Sequence, residues 1–229
     1  MISIIIPVYN EQDTVEEVVR RVNGSLEKFE KEVIVVDDGS RDRTGIILDT
    51  LRHQNQIKLI RHSTNRGKGE AIKSALREAT GEITIIQDAD LEYVPSDLPL
   101  LIRTLVEGNL TVVYGSRNLM AGNRRGYRPF LWGGKLLSLV ASILFNQKLT
   151  DINTGYKVFR TDFLRSLNLT SSGFEFCEEV TAKALNRGVK IKEVPINYFP
   201  RKFSEGKKIR ALDGLIALTT LLKHRFYKE

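Results

Sequence analysis

The first 115 residues alternate short, predominantly apolar and β-branched runs with stretches in which apolar side chains recur every three or four positions. Ile2 to Val8 reads as a buried strand, and Asn10 is placed to cap a helix carried by Val15, Val18, Val19, Val22, Leu26 and Phe29. Val33 to Val36 predicts a second strand, followed by Asp37-Asp38-Gly39-Ser40 and a helix through Ile46, Ile47 and Leu51. Ile57 to Ile60 predicts a third strand ahead of a helix through Ala71, Ile72, Ala75 and Leu76, and Glu82 to Ile86 predicts a fourth. Leu98 to Leu105 is helical in period, and Leu110 to Tyr114 reads as a fifth strand. Strands that are apolar on both faces need cover on both sides. The series therefore predicts an α/β fold with a mostly parallel central sheet flanked by helices.

After Gly115 the pattern changes. Ser116 to Arg128 is rich in Arg and Gly and reads as a loop, Phe130 to Phe145 as an apolar helix, and Lys157 to Phe159 as a short strand. Phe174 to Asn186 predicts a helix, Lys190 to Val194 a strand, and Ala211 to about Phe226 a final helix behind the basic segment Arg201 to Arg210. No Pro/Ser/Gly-rich tract separates the halves, so residues 1–229 are expected to form one domain.

In a parallel sheet, ligands sit at the carboxyl ends of the strands. The polar residues collect there: Pro7 to Glu11 after strand one, Asp37 to Ser40 after strand two, Asn65 to Gly69 after strand three, and Gln87 to Asp90 after strand four. Asp88 and Asp90, with one small residue between them and Glu92 two residues on, suit a hard divalent cation that bridges phosphate oxygens. Asp38 can accept from a nucleobase N–H or a ribose hydroxyl, whereas Ser40 and Asp42 are equally at home in a turn and helix cap. Asn65-Arg66-Gly67-Lys68-Gly69 lacks the upstream glycine and the Ser/Thr of a P-loop, which disfavours a kinase or ATPase. Arg66 and Lys68 remain placed to meet phosphate at a helix N-terminus.

Charge narrows the partners. The chain carries 35 Lys+Arg against 28 Asp+Glu, a net +7, which suits nucleic acid, anionic lipid or a phosphorylated substrate. No nucleic-acid-binding pattern is present, so nucleic acid is set aside. The apolar run from Phe130, with Arg124, Arg125, Arg128 and Lys135 beside it, reads either as core or as an interfacial helix for anionic headgroups. It falls short of the ~20 residues that a spanning helix requires. Met1 enters a strand directly, without a basic leader. A cytoplasmic location, at the cytoplasmic face of a membrane if the helix is interfacial, is the expectation. The single cysteine, Cys177, reads as a small buried hydrophobe. His53, His62 and His224 lack the spacing of a zinc site or a Ser-His-Asp triad and read as surface or boundary residues.

Together, Ile5 to Glu11, Val36 to Thr44, Asn65 to Gly69 and Asp88 to Glu92 resemble the inverting family 2 glycosyltransferases of the GT-A fold. Asp151 to Lys157 and Arg201 to Lys207 are similar to the subgroup of dolichyl-phosphate mannose synthases and polyprenyl-phosphate glycosyltransferases. The resemblance implies a nucleotide-sugar-binding half, 1–115, and an acceptor-binding half, 116–229. It implies that Pro7, Tyr9, Glu11, Val36 and Asp38 surround the nucleoside, and that Asp88 and Ala89 flank ribose and diphosphate. Asp88, Asp90 and Glu92 would hold Mg²⁺ or Mn²⁺. Arg117, Arg201 and Lys207, with Arg128 as a further member, would grip the donor diphosphate or the acceptor phosphate, and Glu179 would face the donor sugar.

The implied reaction moves a hexose from a nucleoside diphosphate sugar, of the GDP-mannose or UDP-glucose type, to a polyprenyl phosphate. Asp88, Asp90 and Arg117 would stabilise the leaving group. An ionised phosphate attacks without a general base, whereas a glycan hydroxyl needs one, for which Asp151, Glu175, Glu178 and Glu179 are candidates. A sugar nucleotidyltransferase and a noncatalytic nucleotide or membrane binder are the alternatives.

Overall fold

The computed structural model describes residues 1–123, 128–201 and 211–226, with the side chains of residues 128–131 and 211 outside the described set. The first half builds β1 (Ile2–Val8), α1 (Val15–Ser25), β2 (Lys31–Asp37), α2 (Thr44–His53), β3 (Lys58–Arg61) and α3 (Lys68–Glu78). It continues with β4 (Ile83–Ile86), α4 (Leu98–Glu107) and β5 (Val112–Ser116). The remainder supplies α5 (Arg128–Phe145), β6 (Lys157–Arg160), α6 (Thr161–Ser166), α7 (Phe176–Asn186), β7 (Ile191–Pro195) and α8 (Ala211–Phe226). The seven strands form one sheet in the order β3-β2-β1-β4-β6-β5-β7.

Both faces of the sheet are covered, as the apolar runs require. Ile4, Ile6, Val33 and Val35 pack under α1, α2 and α4, while Ile5, Ile34 and Val36 pack under α3 and the helices of the second half. β6 departs from the simple parallel series, running antiparallel to β4 on one side and β5 on the other. A strand from the second half thus lies between two from the first.

Two local expectations are corrected. Asn10 does not cap α1. It sits in the left-handed region at φ 51°, its backbone N–H donates to Ser40 Oγ at 3.0 Å, and its Oδ1 accepts from Arg41 N at 2.8 Å. It therefore ties the turn after β1 to the turn after β2, and α1 begins five residues later at Val15. His224 is no boundary residue either; it is buried at 4% exposure, with Nε2 3.9 Å from Glu179.

At the opposite end of the sheet, Glu32 gathers donors from three segments. Its Oε1 accepts from Ser3 Oγ at 2.6 Å and Thr80 N at 2.6 Å, and its Oε2 from Lys58 Nζ at 2.5 Å. Burial alone would raise the pKa of this carboxyl, but these donors outweigh it and hold it at about 2. A folded-state value below the unfolded one contributes stability above pH ~4.5 that is lost as pH falls toward 2. Glu32→Gln should cost about 1–3 kcal/mol at pH 7 in urea unfolding, and the gap to the wild type should close between pH 5 and 2. A pH-independent gap would contradict this role.

Candidate active site

β1 pairs with β2 through Val8 but with β4 only through Ile5, so the strands part at their carboxyl ends and open a crevice at the point where strand order reverses. Pro7 fits this parting. Ile5 O accepts from Gln87 N on the β4 side, and Pro7, two residues on, turns its missing donor toward the same side, where β4 has ended.

Acidic side chains line the mouth, and cations from distant segments hold them. Arg201 donates through both terminal nitrogens to Glu11 at 3.0 Å and lies 3.4 Å from Asp90 Oδ2, bridging the ends of β1 and β4. Lys68 Nζ is 2.5 Å from Asp88 Oδ1. Glu92 accepts from Tyr198 OH at 2.6 Å and from Arg201 N at 2.7 Å. Burial, then the charges of Asp88 and Glu92, push the Asp90 carboxyl well above the ordinary range, with Arg201 pulling the other way. Burial opposes the charge on Lys68, but Asp88 and Asp90 keep its pKa above that of a free lysine.

Across the crevice, Arg117 makes a two-point pair with Asp151, Nε to Oδ2 and a terminal nitrogen to Oδ1, both at 2.7 Å. Its guanidinium also lies 5.0 Å from the Tyr198 ring centre. Glu193 fixes Asp151 by accepting from its backbone N–H at 2.8 Å. The segment between Asp151 and β6 is shaped from within by buried Lys157, which donates to Ile152 O at 2.9 Å and to Thr154 O. Gly155 faces Asp88 so closely that a Cβ there would collide with the carboxylate.

The glycine-rich turn before α3 does not present a free helix N-terminus. Gly69 N and Glu70 N donate to Gly173 O and Ser172 O at 3.2 and 3.1 Å, so the loop of residues 170–173 caps the helix. A Cβ on Gly67 would strike Ser172 O, and one on Gly69 would stand 2.5 Å from Ser171 O. The glycines admit a neighbouring backbone, and Lys68 reaches across to pair with Asp88.

The expected facing of Glu179 toward a sugar is corrected by the same loop. Glu179 is wholly buried, accepts from Thr170 N and Ser171 N at 2.8 Å each, and pairs with Lys183 at 2.9 Å. Burial would raise its pKa, yet Lys183 and these backbone donors bring it to about 2. Glu175 accepts from Ser172 N and Gly173 N, so it also serves the loop. Glu178 is buried beside Asn153, whose amide donates to it at 2.5 Å, and burial pushes it up to about 7. Val36 is wholly inside the core and offers no side-chain surface to a nucleoside. Pro7 and Tyr9 are half-buried at the crevice, and Ala89 packs into the core beneath Asp88 and Asp90.

Asp38 is buried and receives three donors, from Arg66 N at 2.9 Å, Gly67 N at 2.8 Å and His62 Nδ1 at 2.6 Å. The His62 side chain is only 5% exposed in a residue that is partly buried overall, a boundary position as expected. The side chain of Arg128 and all of Lys207 lie outside the described residues. Among the described residues, no three potential ligands are already drawn together as a metal cluster. Tyr198 and Glu193 were not anticipated; both are brought in by strand pairing over long sequence distances and carry no local signal.

Residues 3–167 match the family model for "Glycosyl transferase family 2". The chain belongs to glycosyl transferase family 2. Among its relatives, the dolichol-phosphate mannosyltransferase of Pyrococcus furiosus is 29% identical over 209 residues, covering 90% of this chain and 58% of that protein. This family 2 chain thus spans little more than half the length of that relative. The undecaprenyl-phosphate mannosyltransferase of Micrococcus luteus is 31% identical, with 92% of this chain and 88% of that protein covered. Among solved structures, glucosyl-3-phosphoglycerate synthase from Mycobacterium tuberculosis, in complex with Mn²⁺, uridine diphosphate and phosphoglyceric acid, superposes with a TM-score of 0.76. The superposition covers all of this chain and 80% of that one at 21% identity, a likeness of fold, and the fold is the GT-A type.

The family 2 glycine turn yields a direct test. Gly69→Ala should destabilise the protein by about 1–3 kcal/mol because a backbone carbonyl must give way. Gly134→Ala, in α5 with open space around it, should be neutral or stabilising by up to about 1 kcal/mol. Equal unfolding midpoints for both variants would contradict the close packing.

Proposed function

We propose that this family 2 chain transfers a hexose from a nucleoside diphosphate sugar to a polyprenyl phosphate, inverting the anomeric carbon. The observation that carries the reading is the set of Glu11, Asp88, Asp90 and Glu92 at the switch-point crevice, with Lys68, Arg117 and Arg201 around it. Relatives named as dolichol-phosphate and undecaprenyl-phosphate mannosyltransferases, and a structural neighbour crystallised with Mn²⁺, uridine diphosphate and phosphoglyceric acid, support it.

The donor set fits a divalent cation: hard carboxylate oxygens close together, with Asp90 pushed upward by burial and then by the charges of Asp88 and Glu92. Asp88, Asp90 and Glu92 would hold Mg²⁺ or Mn²⁺, which when bound neutralises charge developing on the leaving diphosphate. Arg201 and Lys68 keep the carboxylates oriented toward one another across the crevice. Arg117, immobilised by Asp151 and Tyr198, presents fixed positive charge to phosphate oxygens without reorganising. Asp38, Tyr9 and Pro7 would form the nucleoside end, at the carboxyl ends of β1 and β2.

A phosphate acceptor is favoured over a hydroxyl because all four candidate bases are engaged elsewhere. Asp151 pairs with Arg117, Glu175 and Glu179 hold the 170–173 loop, and Glu178 is buried against Asn153. An ionised phosphate needs no proton removed.

A lipid-borne acceptor is supported by α5 and α8, which are joined where Arg225 Nε donates to Leu144 O at 2.8 Å. Trp132, Leu136, Leu139 and Ile143 form an exposed stripe on α5, the first and last above 70% exposed, and Leu212, Leu215 and Phe226 are exposed on α8. Lys135 lies over the Trp132 ring at 5.8 Å, and Lys223 and Arg225 close the last turn of α8. No helix among the described residues is long and apolar enough to cross a membrane. This face would rest on the headgroups of a cytoplasmic leaflet, basic groups outward to anionic lipid.

Nucleotide sugars assayed with Mg²⁺ or Mn²⁺, with and without polyprenyl phosphate, should show nucleoside diphosphate release that depends on both metal and acceptor. Asp90→Ala should lower turnover by about 10²–10³-fold without shifting the thermal midpoint appreciably. Undiminished turnover in that variant would defeat the assignment. In flotation assays the protein should bind vesicles containing anionic lipid, and Trp132→Ser with Ile143→Ser should weaken that binding; equal flotation would remove α5 from the membrane face.

A further inference from the structure

Beneath the glycine turn, four side chains form one directional chain of hydrogen bonds. Arg77 donates to Ser74 Oγ at 2.9 Å, Ser74 Oγ lies 2.9 Å from His62 Nε2, and His62 Nδ1 lies 2.6 Å from Asp38 Oδ1. An ionised carboxylate only accepts, so Nδ1 carries the proton toward Asp38. Nε2 is then the acceptor, and the Ser74 hydroxyl donates to it while itself accepting from Arg77. The imidazole is held at both nitrogens with 5% of its side chain exposed.

The order Asp-His-Ser has the connectivity of a hydrolytic triad, but the setting is wrong for one. Ser74 lies in the middle of α3, where backbone N–H groups are spent within the helix, leaving no pair of donors for an oxyanion. The chain has another consequence. The carboxylate that His62 orients also receives Arg66 N and Gly67 N, so both ends of the 62–67 segment are tied to Asp38. The next residue is Lys68, whose amine holds Asp88 across the crevice. Lys68 is aimed only if Gly67 is placed, and Gly67 is placed by Asp38.

We infer that His62 is a positioning residue for donor binding, acting through Asp38 on the turn that aims Lys68 at Asp88. This rests on the proposed reading of the crevice as the donor site. His62 touches neither nucleotide nor metal in this role. It fixes one rotamer of a carboxylate, and the backbone bonds to that carboxylate carry the constraint to the site.

Two amide substitutions separate this from simple packing. The amide of Asn superposes on the Nδ1 position of histidine and keeps a donor for Asp38, whereas that of Gln superposes on Nε2 and reaches only Ser74. Binding of GDP and of UDP, each with Mn²⁺, is measured by calorimetry on wild type, His62→Asn and His62→Gln, alongside thermal midpoints and donor kinetics. Losing one charge-assisted hydrogen bond, His62→Gln should weaken nucleotide binding and raise donor KM about tenfold with kcat changed less than about threefold, while His62→Asn stays within about threefold of wild type. Ser74→Ala, which frees the ring without removing its Asp38 bond, should fall between them. Wild-type affinity and KM in His62→Gln, or equal losses in the Asn and Gln variants, would overturn the inference and leave the crevice assignment standing. Binding of neither nucleotide to the wild type would overturn both.

Discussion

Like charges crowded into a partly dry crevice repel one another, and this protein's candidate site is arranged around containing that repulsion. Asp88, Asp90 and Glu92 leave one strand end together, and Glu11 approaches from another. Arg201 and Lys68 enter from remote positions and hold the group in place. Burial, and after it the charges of Asp88 and Glu92, still push the Asp90 carboxyl upward despite Arg201. The proposed diphosphate donor would add negative charge to such a site, and a divalent cation would offset it.

The halves of the chain are interlocked by backbone as much as by side chains. The 170–173 loop, pinned by Glu175 and Glu179, caps α3 and presses against Gly67 and Gly69. Asp38 organises the same turn from the other side. Acidic residues that chemistry alone would nominate as bases are therefore spent on geometry, because buried backbone N–H groups require acceptors and a buried carboxylate supplies several. The precision of the crevice comes from these unreactive carboxylates.

The apolar surface of α5 and α8 obeys a different rule. Its residues keep a helical period but lack a protein partner among the described elements, while the remaining face of each helix joins the core through Ala141 and Leu221. Such two-sided helices are costly to leave in water, and a lipid surface with anionic headgroups relieves both the apolar and the basic character at once.

Periodicity was enough to locate the strands and the longer helices, though not the six-residue α6, since strands buried on both faces and amphipathic helices write their burial into neighbouring residues. The strand-end motifs likewise marked Asp88, Asp90 and Glu11 as residues of one crevice, because ligand sites follow the carboxyl edge of a parallel sheet. What local sequence did not contain was partnership over distance. The antiparallel insertion of β6, the burial of Glu179 and His224, the engagement of Asp151 by Arg117 and the reach of Tyr198 to Glu92 all depend on segments tens to a hundred residues apart. A carboxylate's type can be read from its letter, but whether it faces a substrate or a buried amide is set by which segments pack around it, and only the folded chain decides that.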